Sequence, residues 1–401
     1  MRSPTAMSLT RKLVLSAIVL LFLRVGPLHA QTTPSLTFRV TGPMETIVNH
    51  KKDACNEVDI PDEAAHAWRD ASGTVRLIAS HHENLELSGP DLNHLKSTCK
   101  LAYAAGGSAH PEDFNDMGWI ESVYTTDGKT IHGIVSMDYH PLRHHLPCSE
   151  PKGDPCWYSV LTQVDSHDGG RSFTAPVPGA SRFIAGAPYQ FDPQHPEVVG
   201  ALVPTQMVTW NGYVYAFFSM AGSRDQKTGD CLVRTKDPAD PAGWRAWDGA
   251  GFNVQFIDPY PKPLANPAAH TCQPVGDHNL FSPVRSLLML DGGKGFLAVM
   301  VGPHRVGDKL STAVLASTST DLLNWSTPVP IMDLPFYHPG GCSTDPHGVS
   351  FGYPSLLDPA SPSLNFNTFG SSGYLYLTLY RYCEGLNRDL VRFPISVTYN
   401  H

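Results

Sequence analysis

The chain has 401 residues, 29 basic against 37 acidic, and a formal net charge of −8. An acidic chain without a basic stripe excludes nucleic acid and anionic membrane surfaces as expected partners. Its length can bury a large core, either as one repeat domain or as two ordinary domains.

The N-terminus is predicted to be a leader. Arg11 and Lys12 precede an apolar run from Leu13 to Leu23, and Leu28-His29-Ala30 offers a small-residue cleavage site before Gln31. The run is too short for a membrane span, so a signal peptide over 1–30 and a single mature domain over 31–401 are expected, secreted or periplasmic and free of the membrane after cleavage. All eight cysteines follow the leader. An even count in an exported chain predicts disulfides, and sequential pairing (55–99, 148–156, 231–272, 342–383) is the simplest scheme.

After the leader, short β-branched or aromatic runs alternate with Gly, Pro, Asn and Asp, an all-β signature. A unit of strand, tight polar turn and second strand recurs. The first copy runs from Ile60-Pro61-Asp62 through Ala67-Trp68 and the turn Asp70-Ala71-Ser72-Gly73 to a strand over 75–80. The second runs from Trp119-Ile120-Glu121 through Asp127-Gly128 to a strand over 131–137. A further strand over 157–165 leads into Ser166-His167-Asp168-Gly169-Gly170-Arg171-Ser172-Phe173. The third copy joins Val203-Pro204-Thr205 through Asn211-Gly212 to a strand over 213–219, followed by one over 231–235. The fourth joins Ser282-Pro283-Val284 through Asp291-Gly292 to a strand over 295–301; a strand over 311–317 then leads to Ser319-Thr320-Asp321-Leu322-Leu323-Asn324-Trp325. The fifth joins Tyr353-Pro354-Ser355, by a longer insertion and a turn at Ser372-Gly373, to a strand over 374–380. Proline suits the first residue of a strand, where no ladder donor is needed.

The 166–173 stretch has the form Ser-x-Asp-x-Gly-x-x-aromatic, called an Asp-box, and 319–325 is a looser copy. Ser and Asp side chains bond backbone groups of such a turn and the aromatic ring packs inward, so Asp168 and Asp321 are assigned to folding. The repeats predict a five-bladed β-propeller of four-stranded antiparallel blades; a six-bladed sialidase-like ring and a two-domain sandwich are the alternatives. In a propeller the inner-strand starts and second-strand ends share one face, away from the Asp-box turns. That face collects Asp62, Glu63 and Glu121 with His81, His82, Asp138, His140, His304 and Arg381. Carboxylates converging from different blades permit general acid–base work on a glycosidic bond.

These motifs, with Tyr353-Pro354-Ser355-Leu356-Leu357, resemble the secreted five-bladed glycosidases of arabinanase, xylosidase and invertase type. The resemblance implies an exported glycoside hydrolase acting on carbohydrate as a monomer. It makes Asp62 the base or nucleophile, and Asp138 or Glu121 the second carboxylate. The family's later-blade Glu has no match, since the later inner strands begin with Thr205, Val284 and Ser355; Glu197 is the fallback. Expected substrate contacts are His81, His140, Arg285, Tyr353 and Arg381. No metal ligand set or cofactor is expected, although the resemblance admits a channel cation such as calcium. Two readings compete with hydrolysis by paired carboxylates. One is a non-catalytic propeller that binds glycan or protein; the other is a sialidase-like exoglycosidase, for which Arg285, Arg381 and Tyr353 are present but an Arg-Ile-Pro entry motif is absent.

Overall fold

A computed structural model describes residues 35–149, 156–175, 182–195, 197–334, 348–381 and 386–400. The expected leader and the expected 342–383 pairing lie outside these residues. The described chain is nearly all β: its helices are single turns, such as His50–Asp53 and Pro141–His144. None is long and apolar enough to cross a membrane.

Among the described residues four sheets are formed; most neighbouring strands are consecutive in the chain, and the exceptions include Thr368–Phe369 in parallel on Ser286–Leu290 and the strands Ser35–Val40 and Glu45–Val48 on Arg388–Asn400. The first joins His66–Arg69, Val75–Ile78, Glu83–Gly89 and Lys96–Ala104. The second begins with Met117–Tyr124, Ile131–Tyr139, Tyr158–Ser166 and Phe183–Gly186. It continues through Val199–Pro204, Tyr213–Ala221, Gly229–Thr235 and Arg245–Ala246. Only the parallel pairs Val199↔Tyr158 and Gly200↔Ser159 join these two antiparallel halves. The third sheet holds Ser286–Leu290, Gly295–Val306, Lys309–Ser319 and Val329–Leu334. The last holds Val349–Leu357, Ser372–Arg381 and Arg388–Asn400, and the N-terminal strand Ser35–Val40 completes it on Arg388–Asn400.

The strands carry apolar side chains on both faces because sheets cover them on both sides. Tyr213–Ala221 reads Tyr-Val-Tyr-Ala-Phe-Phe-Ser-Met-Ala and is buried except at its ends, as a continuous apolar run predicts. One core joins Trp68 of the first sheet to Ile131, Leu161 and Phe218 of the second. Another joins Phe217 to Leu287, Phe296 and Trp325. A third joins Leu288 and Val314 to Leu356, Leu377 and Leu36, and a fourth returns from Leu357 and Tyr376 to Leu77.

The polar turns fasten neighbouring sheets. Asp168 accepts from the backbone amides of Arg171 and Ser172 at 2.9 and 3.1 Å, and Ser166 Oγ accepts from Gly170 N at 2.8 Å. The Trp68 indole donates to Gly169 O at 3.0 Å, and a Cβ at Gly170 (φ +96°) would meet the Trp68 ring at 2.3 Å, so only glycine fits there. Phe173 meets Trp68 edge-on, with ring centroids 6.2 Å apart. In the second turn Asp321 accepts from Leu323 N and Asn324 N at 2.9 and 2.7 Å.

Three disulfides, Cys55–Cys99, Cys148–Cys156 and Cys231–Cys272, follow the sequential scheme. The prolines do not all start strands. Pro61 and Pro283 precede the inner strands His66–Arg69 and Ser286–Leu290. Pro204 and Pro354 lie inside Val199–Pro204 and Val349–Leu357, at register shifts between Leu202/Pro204 and Gly352/Ser355. At the second shift Pro354 itself has no ladder partner, which suits its missing donor, whereas at the first Val203 is the unpaired residue and Pro204, opposite Phe218, ends the strand.

Candidate active site

The inner strands bend where the bulges fall, and the bends aim side chains at a common space. A third register shift, between Ile120 and Ser122, singles out Glu121. Val203 and Tyr353, each just before its proline, adopt left-handed φ values of +51°. Non-glycine residues are rare there, and such strain gathers where side chains must be re-aimed. Glu121, Val203 and Tyr353 all line one cavity of about 490 Å³. Asp62 and Arg285 reach it from the segments entering inner strands, His81 and His140 from just beyond second strands, and Arg388 from the start of the last strand.

Of the side chains expected from sequence, Asp62, Glu121, Asp138, His81, His140, Arg285 and Tyr353 line this cavity. Arg381 does not: it pairs with the fully buried Asp389, which also accepts from His50 N at 2.9 Å. Reading the sequence missed Trp119, Trp157, Arg143 and Arg388 in the lining. Trp119 stands two residues before Glu121 and Arg143 three after His140, so proximity could have raised them. Arg388 was missed although Gly385 and Asn387 are turn residues just before it, because the repeated unit extends only as far as the second strand of each copy.

The carboxyl groups differ sharply in environment. Asp62 is surrounded by donors: Arg388 pairs with Oδ1, the Tyr353 hydroxyl donates to Oδ1 at 3.2 Å, and His81 Nε2 lies 3.4 Å from Oδ2. Burial raises its pKa, while Arg388 and Tyr353 oppose the rise. Glu121 keeps a little surface toward the cavity but is otherwise enclosed. Burial pushes it to about 8; Arg285 pulls it down, and the charges of Asp138 and Asp62 push it further up. Asp138 accepts from Ser159 Oγ at 2.6 Å, and burial sets it at about 6 against that bond. Behind them Glu63 is 1 % exposed with neither carboxyl oxygen hydrogen-bonded. Burial, then the Glu121 and Asp62 charges, raise it well above the ordinary range, so it sits there as the neutral acid.

His81 is pushed down to about 3 by burial and by His82, Arg388 and Arg143, so it is neutral and offers its Nε2–H to Asp62. Its ring meets Trp119 edge-on at 5.3 Å. Trp119, Trp157 and Tyr353 give the cavity flat apolar surfaces beside its charges. Among the described residues no group of three or more His, Cys, Asp or Glu side chains could hold a metal ion. The arrangement can place a proton donor, Glu121, and a carboxylate surrounded by donors, Asp62, on the same cavity.

No family model matches the chain, and no curated protein matches it in sequence. Solved structures share its overall course. An α-L-arabinanase of Cellvibrio cellulosa, in complex with arabinohexaose, is 13 % identical with a TM-score of 0.43, over 86 % of this chain and 93 % of that one. A family 117 glycoside hydrolase of Zobellia galactanivorans is 10 % identical with a TM-score of 0.47, over 91 % and 90 %. A Dyadobacter fermentans protein of unknown function is 14 % identical with a TM-score of 0.45, over 89 % and 100 %. At these values the likeness carries no argument about activity.

Proposed function

We propose that this chain is an exported glycoside hydrolase, built as a monomeric ring of five four-stranded blades over 31–401, whose cavity takes a glycan. Four cores linking successive sheets, with the last returning to the first, support the ring. Three disulfides suit an oxidising compartment.

The observation that carries the activity is the split between two carboxyls in one cavity. Glu121 holds its proton to about pH 8, whereas every donor around Asp62 favours its ionised form. Environments that push paired carboxyls apart assign acid and base. Glu121 donates its proton to the departing glycosidic oxygen. Asp62, as carboxylate, activates water or attacks the anomeric carbon. Asp138 holds a negative charge near Glu121 and keeps that acid weak; Trp119, Trp157 and Tyr353 give sugar faces something to stack on.

The test is hydrolysis of a panel of aryl glycosides and oligosaccharides by wild type, Glu121→Gln and Asp62→Asn. Each substitution should lower kcat by about 10²- to 10⁴-fold, with exogenous azide partly rescuing whichever carboxyl acts as nucleophile or base. A wild type that binds glycans but turns none over would overturn the reading in favour of a non-catalytic binding module.

A further inference from the structure

Three arginines line the cavity: Arg143, Arg285 and Arg388. Two are spoken for. Arg388 pairs with Asp62, and Arg143 Nη1 lies 3.0 Å from Asp116 Oδ1. The Arg285 guanidinium has no hydrogen bond or ion pair among the described residues; its only side-chain contact of note is with the Tyr353 ring, 4.9 Å from the guanidinium carbon. Glu121 and Asp230 feel its charge, but neither pairs with it.

The residue is nonetheless held in place. The preceding Val284 N donates to the buried Asp230 at 3.2 Å, and Arg285 N donates to Val299 O at 2.8 Å. A half-buried guanidinium held against an aromatic ring, with no protein group paired to its donor fork, presents that fork to whatever enters the cavity. The fork matches an oxyanion in geometry as well as charge. The neighbouring acid does not cancel it either, because Glu121 is protonated through neutral pH.

We infer that the cavity selects an anionic sugar, one bearing a carboxylate or a sulfate ester, and that Arg285 is the group on which this oxyanion docks. The inference rests on the glycoside-hydrolase reading for the sugar, but not for the anion. Arg285 is a specificity residue: it holds the substituent while Glu121 and Asp62 face the glycosidic bond.

The test is calorimetric titration of the full-length mature chain with methyl glycosides of glucuronic and galacturonic acid, their methyl esters, a 6-sulfated methyl galactoside and its unsulfated parent. Wild type should bind at least one anion about 10- to 100-fold tighter than its neutral counterpart, and the two uronate pairs against the sulfate pair separate carboxylate from sulfate. Arg285→Gln should bring that ratio close to one. Arg285→Lys, which keeps the charge but not the fork, should retain part of it and shows that the effect is not misfolding. No anion preference in wild type, or a preference that survives Arg285→Gln, overturns the inference. Arg285-dependent anion binding without hydrolysis refutes only the enzymatic reading; hydrolysis of neutral glycosides indifferent to Arg285 refutes only this one.

Discussion

Glu121 and Asp62 are proposed to divide the work of one reaction, and pH reads that division directly. The acid must be protonated, so kcat/KM should fall as pH rises through about 8, the value burial gives Glu121. The acidic limb belongs to the carboxylates that must be ionised. Tyr353→Phe removes a donor 3.2 Å from Asp62, so that limb should move to higher pH, by up to about one unit, with the alkaline limb unmoved. A pH–rate profile of the two proteins checks both. Stability carries the same signature with a definite sign. The folded pKa of Glu121 lies above the ordinary glutamate value of 4.5, so the folded state binds the extra proton. Its contribution is fully present below about 4.5 and is lost as pH rises through about 8. Glu121→Gln should therefore flatten the decline of stability across that window, by up to about 1.4 kcal/mol per pH unit, in denaturant titrations at stepped pH. Asp62 and Asp138 could be singled out in the sequence because each stands near the start or end of a strand flanked by turn residues; the sequence pattern puts Glu121 at a strand start, but it sits at a bulge inside Met117–Tyr124. Which one keeps its proton was not legible. That depends on burial and on Arg388, Tyr353 and Arg285 as neighbours, all of them far away along the chain.

The bulges do at the element scale what no single side chain does: they turn Glu121, Val203 and Tyr353 out of the ladder and into the cavity. Their prolines, Pro204 and Pro354, were visible in the sequence, but they predicted strand starts where they mark an interruption. Proline satisfies both settings for the same reason, its missing donor, and composition alone cannot separate them. The segment between Trp247 and Val284 is likewise opaque to strand patterns, having no long regular element. It is anchored by Cys231–Cys272, and Val275 N donates to Asp230 O at 3.0 Å. The same segment leads into Pro283 and Arg285. Replacing both cysteines by alanine frees a closure with a sequence separation of 41, which costs about 4 kcal/mol by loop entropy. Thermal melts should show that loss. Because Arg285 follows the tethered segment, KM should rise more than kcat falls; an unchanged KM would mean that the tether serves stability alone.

At the scale of the whole molecule, the last sheet is completed by the first described strand. Ser35–Val40 pairs in register with Arg388–Asn400, from Ser35↔Asn400 to Val40↔Ile395. Leu36, 3 % exposed, enters the core shared with Leu288, Leu356 and Val397. The alternation Leu36-Thr37-Phe38-Arg39-Val40 is a local strand signal, but nothing local announces its partner, which lies at the far end of the chain. The repeat of turns predicted the ring but not how its ends meet. In the proposed ring this pairing is the closure, and it makes a strong demand on truncation. A chain begun at Gly42 instead of Gln31 leaves 395–400 without its outer partner, although Glu45–Val48 still pairs with 390–392, and leaves the Leu36 site empty. Loss of Leu36 alone costs about 2–5 kcal/mol, so Leu36→Ala should lower Tm by several degrees. The truncation should lower it further, by on the order of ten degrees, and expose an edge that self-associates. A synthetic peptide spanning 35–40, added in trans, should restore part of the melting temperature by completing the sheet as an added strand. A truncated chain that melts with the full-length one, or that gains nothing from the peptide, would show that the ring holds without its clasp.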